Sequence, residues 1–338
     1  MDVVFSHVWG VWWWRCSHTN TTADNLRTNR CFIGKAPARA SELNESNVHE
    51  TRISYTSRGF PRDLPIDLIS GTPVARSRLR LIKVRQWTGP VPLGAICTAG
   101  NAFVCSPEFC FVLVAGDVKH ICQERLSHWQ YIVILVELGC ELCGTYSKQE
   151  SVRGFKDRRA PLIGSWQLFS FAGLMANERG GSLAHEAIRW VIDGLNSPME
   201  TVLYMMLCLP RAWGGLGLYR PRSNWILDVP TELWRGGRQH RIIPDLYWPE
   251  YALIAEYFGE DAHEGREVPD VERQEIAQDM GYKVVTFWKE DLLDLKKFNA
   301  KARVISHYMG RELPEATESF AALQSRLQQM LLRHQRWI

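Results

Sequence analysis

No apolar run in this chain reaches the roughly 20 residues a helix needs to cross a bilayer, no segment repeats, and no glycine-rich phosphate loop occurs. Membrane spanning, repeat architectures and nucleotide-triphosphate cradles are thereby excluded as organising ideas. An excess of one charge is also missing: 40 Lys and Arg stand against 37 Asp and Glu, a formal net charge of +3. That balance permits an anionic partner without resembling a protein that coats a duplex. Met1 to Trp14 is apolar, with Trp9, Trp12, Trp13 and Trp14, yet it has neither a basic leader nor a small-residue cleavage site, which argues against a secretory signal. Nine cysteines form an odd set without the spacing of a secreted domain, so reduced thiols in a cytoplasmic protein are expected. Cys140 and Cys143 have zinc-knuckle spacing, and Cys105 with Cys110 offers a loose second pair. The apolar run Phe109 to Ala115 beside that pair favours buried free thiols instead.

What is present is an ordinary globular composition, 46% hydrophobic and 23% charged over 338 residues, a length that suggests about two domains. Residues 1–60 turn polar after Trp14 and read as a loosely ordered segment. Residues 61–165 read as a smaller mixed α/β region of unassigned role, in which Ser106-Pro107-Glu108 opens a helix and Leu126 to Leu138 is long and apolar. Helices are expected over Trp166 to Asn177 and Leu183 to Ile192, with Gly180 and Gly181 as the break. Residues 311–338 carry a last helix, Glu315 to Arg333, whose stripe of Phe320, Leu323, Leu327, Met330 and Leu331 suits packing on the preceding module or the seam of a homodimer.

The chemistry-bearing stretch is Arg241 to Phe258. Two apolar runs, Arg241 to Trp248 and Tyr251 to Phe258, flank Trp248-Pro249-Glu250-Tyr251 and predict two antiparallel strands. A turn centred on Pro249 and Glu250 sets Asp245 opposite Ile254, with Glu256 on the same face and diagonally across, roughly 7 Å away. Two carboxylates on one sheet face repel each other unless a cation or a proton neutralises them, and hard oxygen ligands suit Mg²⁺ or Mn²⁺. A pair of solvated charges is the plain alternative. Further along come Gly259, His263, a helical run from Val271 to Met280 with Arg273, then Gly281-Tyr282-Lys283 and the strand Val284 to Trp288. Upstream, Ser197-Pro198-Met199-Glu200 opens a helix that stops before Pro210, in the Ser-x-x-Glu pattern of a reciprocal cap.

In this order and spacing, Pro244-Asp245, Glu256-Tyr257, His263 and Arg273 before Gly281-Tyr282 resemble the PD-(D/E)XK nuclease superfamily. The likeness is to its branch related to very-short-patch-repair endonucleases, which occurs in actinobacterial proteins, sometimes behind an antitoxin-like segment. It covers about residues 166–310 and implies an α/β fold, a restriction-endonuclease-like mixed sheet flanked by helices. By resemblance, Asp245 and Glu256 hold the metal and Glu200 adds an outer acidic contact. His263 relays protons or touches the phosphate, and Arg273 clamps a backbone phosphate. Arg238 and Arg241, crowded with Arg235 and His240 before the first acidic strand, and Lys283 form the expected basic rim for DNA. The implied activity is metal-dependent DNA cleavage, with no role at a membrane.

One departure matters. The superfamily sets a lysine two residues beyond the second acid, and here that position is Phe258. A phenyl ring neither binds a cation nor orients water, so Glu260, Asp261 or Lys283 must compensate. Otherwise the chain keeps a nuclease fold for nucleic-acid binding or a toxin-antitoxin-type regulatory role without turnover.

Overall fold

The computed structural model describes residues 3–17, 22–34, 59–73, 82–100, 102–150, 154–233, 241–259 and 267–333, with 267–272 described by backbone alone. The chain divides into two compact units, Met1–Val191 and Ile192–Arg336. Both are mixtures of helices and mixed sheets, so the α/β class holds. Among the described residues no helix is long and apolar enough to cross a membrane.

The first unit is built on five strands, β1 (Val4–Phe5), β2 (Ile66–Ser70), β3 (Ile82–Gln86), β4 (Ile96–Ala99) and β5 (Ala102–Cys105), in the order β3-β2-β1-β5-β4. β1 sits at the centre, antiparallel to β2 and parallel to β5, and feeds at once into α1 (His7–Arg15). The start of the expected loose segment is therefore core: Trp9 and Trp14 are fully buried. The run 35–58 lies outside the described residues.

Two helices, α2 (Pro107–Ile121) and α3 (His128–Leu142), are buried almost all round, as their unbroken apolar runs require. Ser106 caps α2 by accepting the Phe109 N–H, and Pro107 occupies the first helical position. Helices this apolar need cover on several sides. They receive it from α4 (Ser165–Leu174) and α5 (Gly181–Ile188), so the domain boundary expected near 165 falls instead after Val191. The Leu126 to Leu138 run is interior helix from Gln130 onward, and Cys105, Cys110, Cys140 and Cys143 are all buried. Cys110 donates its thiol to the Cys105 carbonyl at 3.3 Å, and burial pushes its pKa upward, which suits a neutral thiol rather than a zinc ligand.

A short antiparallel pair, β6 (Ser147–Lys148) and β7 (Phe155–Lys156), also belongs to the first unit. The second unit holds the acidic stretch. Helix α6 (Pro198–Cys208) precedes a four-stranded sheet of β8 (Arg222–Ser223), β11 (Leu246–Trp248), β12 (Leu253–Phe258) and β13 (Lys283–Trp288), in the order β13-β12-β11-β8. β8, β11 and β12 are successively antiparallel, while β13 runs parallel to β12 after the crossover helix α7 (Glu267–Asp279). The single strand expected over Arg241 to Trp248 is split. Arg241–Ile242 forms β10, paired with β9 (Leu227–Asp228), and Pro244, which lacks a backbone N–H to donate, stands between it and β11.

α7 covers one sheet face through Tyr247, Ile254, Ile276 and Ala277, where burying each aliphatic side chain contributes roughly 1.5–3 kcal/mol. After β13 come α8 (Lys289–Leu293), α9 (Leu295–Tyr308) and α10 (Glu318–Leu332). Phe298 of α9 packs on Phe287 of β13 at 5.6 Å between ring centres. The α10 stripe buries Phe320, Leu327, Met330 and Leu331 within this unit, and Asn299 and Gln324 exchange hydrogen bonds at 2.8 Å.

Candidate functional site

Strand pairing decides whether the two expected metal ligands face each other. The turn after Trp248 is a 3-10 turn over Pro249–Tyr251 closed by Ala252 in the left-handed region at φ 45°. Four residues, Pro249 to Ala252, separate the paired Trp248 and Leu253, two more than a turn centred on Pro249 and Glu250 leaves, so the register becomes Tyr247↔Ile254 and Leu246↔Ala255. The expected pairing of Asp245 with Ile254 is thus displaced by two residues. An even displacement keeps every side chain on its face. Continued by one residue, this register sets Asp245 directly opposite Glu256.

Asp245 stands just before β11, and its Oδ2 accepts the Tyr257 N–H at 2.6 Å. Glu256 is buried on β12, and its Oε2 accepts from Arg273 Nη2 on α7 at 3.3 Å. Glu200 reaches the same place from the first turn of α6. Its backbone N–H is held by Ser197 Oγ at 3.1 Å, the cap expected. The return half of the cap differs: Glu200 Oε2 accepts from the Asn196 N–H at 2.8 Å and from Asn224 Nδ2 at 3.1 Å.

Asn224 was not singled out by its residue type or spacing. It sits in the left-handed region at φ 46°, which asparagine tolerates better than most residues. There its backbone N–H bonds the Asp245 carbonyl at 3.2 Å while its side chain holds Glu200 and the Gly194 carbonyl. One residue, through its backbone and its side chain, thus ties the helix of one acid to the segment carrying another.

The three acids lie within electrostatic reach of one another. Burial raises the pKa of Asp245 well above the ordinary carboxylate value, and the charges of Glu200 and Glu256 raise it further, against the Tyr257 hydrogen bond and Arg273. Burial likewise raises Glu200, despite the hydrogen bonds from Asn196, Asn224 and Ser197. Three carboxyls and one guanidinium leave an excess of negative charge that a hard cation or protons must offset. Among the described residues no group of three or more His, Cys, Asp or Glu is arranged to hold a metal ion. A site resting on two carboxylates is nonetheless what Mg²⁺ accepts when waters and phosphate oxygens complete its shell. The oxygen donors and their uncompensated charge fit such an ion.

The basic residues fare differently. Arg273 turns inward to Glu256 rather than outward, and its guanidinium carbon lies 5.8 Å from the centre of the Phe258 ring. Phe258 shares the face of Glu256, is buried, and meets Trp288 edge-on at 5.1 Å. A positive charge does reach Glu256, from Arg273 on the neighbouring helix. Lys283 does not compensate. It pairs with Leu253, three residues before the Glu256↔Thr286 pair, hence on the opposite face and about 10 Å along the strand, with its ammonium 5.0 Å from the Tyr308 ring. Arg241 is exposed and paired with Asp228 at 3.1 Å. His263 and Arg238, with Glu260 and Asp261, lie outside the described residues.

Further polar groups line the acid-bearing face. Thr286, in register with Glu256, accepts from Gln274 Nε2 at 2.8 Å. Beside Asn224, Trp225 is half exposed with the Arg222 guanidinium 4.5 Å above its ring. No protein-family model, curated protein or solved structure matches the chain.

Proposed function

We propose that the second unit is a metal-dependent endonuclease module of the PD-(D/E)XK kind that hydrolyses phosphodiester bonds in DNA. The observation that carries this reading is the meeting of Asp245, Glu256 and Glu200, with burial and mutual repulsion together raising the Asp245 pKa. Such an arrangement costs stability and is typical of sites that use charge. The mixed sheet, with α6 before it and α7 between its two parallel strands, agrees with the restriction-endonuclease-like architecture.

In this reading Asp245 and Glu256 hold Mg²⁺ or Mn²⁺. The chemistry such an ion supplies when bound is polarisation of a phosphodiester and a lowered pKa for a coordinated water. The chain's own groups do the rest. The Tyr257 N–H fixes Asp245, and Asn224 fixes Glu200 relative to it. With Asp245 and Glu256 ionised against a cation, Glu200 is the acid of the set best placed to take up a proton. Arg273 supplies the positive charge that a lysine would bring, from above Phe258. The Arg222–Trp225 pair offers a guanidinium for a backbone phosphate and a ring for a base.

A second reading has its own observation. The Arg273–Glu256 ion pair and the buried Phe258 leave Glu256 already matched by a cation, which suits a nuclease-fold protein that binds nucleic acid as a regulator without cutting it.

Purified full-length protein incubated with linear, nicked and mismatched DNA in Mg²⁺ or Mn²⁺ separates the two. The nuclease reading expects metal-dependent cleavage lost in both Asp245→Asn and Glu256→Gln. Cleavage untouched by both substitutions contradicts the site, and binding without cleavage in either metal favours the regulator.

A further inference from the structure

The first unit contains a charged cavity that the nuclease reading does not use. It has a volume of about 360 Å³ and is lined by His7, Arg85, Asp117 and Arg179, with Trp87 and Leu113 among its apolar walls. From this geometry we infer that the cavity is a binding site for a small phosphate monoester, held between the guanidinium groups of Arg85 and Arg179.

The two arginines are set in place by groups behind them. Asp117, buried on α2, accepts from Arg85 Nη1 with one oxygen and from Arg179 Nη2 with the other. Arg85 Nε donates to Asp67 at 3.3 Å, and Arg179 Nε donates to the Gly116 carbonyl at 3.2 Å. These bonds use Nε and one terminal nitrogen of each fork. Arg85 Nη2 and Arg179 Nη1 are left over among the described residues, a pair of donors suited to a tetrahedral dianion.

The loop carrying Arg179 is held close to α2 by two glycines. Gly180 has φ +88°, and a Cβ there would come within 2.3 Å of both the Gly116 nitrogen and the Val112 carbonyl oxygen. No other residue lets Arg179 approach Asp117 this closely.

His7 completes the polar wall. It opens α1 in the left-handed region at φ 49°, bonds Ser6 Oγ through Nδ1 at 2.9 Å, and lies 3.3 Å from Asp117 through Nε2. Burial and the fields of Arg85 and Arg179 push its pKa well below the usual imidazole value, so His7 is a neutral hydrogen-bonding group and its environment is electropositive. Of the charges on the wall, two guanidinium groups face one carboxylate. Asp67 lies behind, where the Trp9 amide and Arg85 engage it. A ligand anion offsets the one positive charge in excess on the wall itself. The volume lies at the small end of ordinary ligand pockets, enough for a phosphate with a compact organic body.

The test is thermal unfolding of the full chain with inorganic phosphate, AMP or adenosine at constant ionic strength. AMP at saturation is expected to raise Tm by about 2–4 °C, with a smaller rise from inorganic phosphate and none from adenosine. Arg179→Ala, which removes a largely exposed side chain, is expected to abolish the AMP effect. Arg85→Lys, which keeps a charge beside Asp117, is expected to weaken it about tenfold or more in Kd, roughly the value of one charge-assisted hydrogen bond. No shift with any probe, an adenosine shift equal to that of AMP, or an AMP shift that survives Arg179→Ala overturns the assignment.

Discussion

Two carboxylates withdrawn from water, one in each unit, meet opposite fates. Glu141 on α3 is almost wholly enclosed, yet Arg15 grips it through both oxygens at 2.8 and 2.7 Å, and the Lys148 N–H adds a third bond at 2.9 Å. Although burial raises its pKa, Arg15 first and then Lys148 and Arg159 more than compensate, holding it down at about 2. Asp245 is half-buried, its neighbours include two more acids, and its pKa moves the other way. Withdrawal from water is common to both. What differs is whether the protein provides its own countercharge. Glu141 is a fastening between α1 and α3, complete in itself, whereas at Asp245 the chain gathers more carboxyl groups than its own cations offset.

The comparison can be broken most forcefully at the fastening. Glu141→Ala leaves Arg15 buried without its partner and is expected to cost about 3–5 kcal/mol in urea unfolding; a loss below 1 kcal/mol would remove the contrast. The pH dependence follows with a definite sign. Because the folded pKa of Glu141 lies below its ordinary 4.5, its contribution is fully present above that value and disappears as pH falls from about 4.5 toward about 2.

Next in size is chemistry at the acidic cluster. Glu256→Gln is expected to lower metal-dependent DNA cleavage by about 10²–10³-fold, the scale of losing one preorganised electrostatic group, as read by a single-turnover nicking assay. Asp245→Asn carries a smaller effect of the opposite kind on stability. The folded carboxyl is raised above 3.8, so the unfolded chain releases its proton first, and the cost of Asp245 grows as pH rises beyond that value. In metal-free buffer at pH 7 the amide variant is expected to unfold at higher urea than the wild type. The gain should vanish near pH 3, and equal stabilisation at both pH values would count against the repulsion described. Smallest is Lys283→Ala, expected to alter cleavage by less than about twofold, as for a surface change worth under ~0.5 kcal/mol. A larger drop would return Lys283 to the site.

Much of the second unit was legible from residue order. The Ser197-Pro198-x-Glu200 start of α6, the strands of the hairpin, the helix ending before Gly281 and the strand after it all follow from local rules. The common face of Asp245 and Glu256 survived an error in register because side chains alternate with period two. What escaped depends on tertiary contacts. The left-handed Ala252 that lengthens the turn, the interruption at Pro244 and the role of Asn224 each require knowing which segments meet. Arg273 sits in a charged run whose composition reads as solvated, and only the packing of α7 on β12 turns it toward Glu256. In the first unit, the apolar helices were visible as runs, but the need for α4 and α5 to cover them moved the boundary past Val191. The cavity arginines come from distant segments with no shared motif, so nothing local announces them.

The most direct measurement is calorimetric titration of Mn²⁺ into the full-length protein, wild type beside Asp245→Asn and Glu256→Gln. One saturable ion per chain in the wild type, lost or weakened at least about tenfold in both variants, a difference of about 1.4 kcal/mol, is the expected result. Absence of uptake, or uptake that neither substitution changes, would contradict the claim that these carboxylates form a cation site.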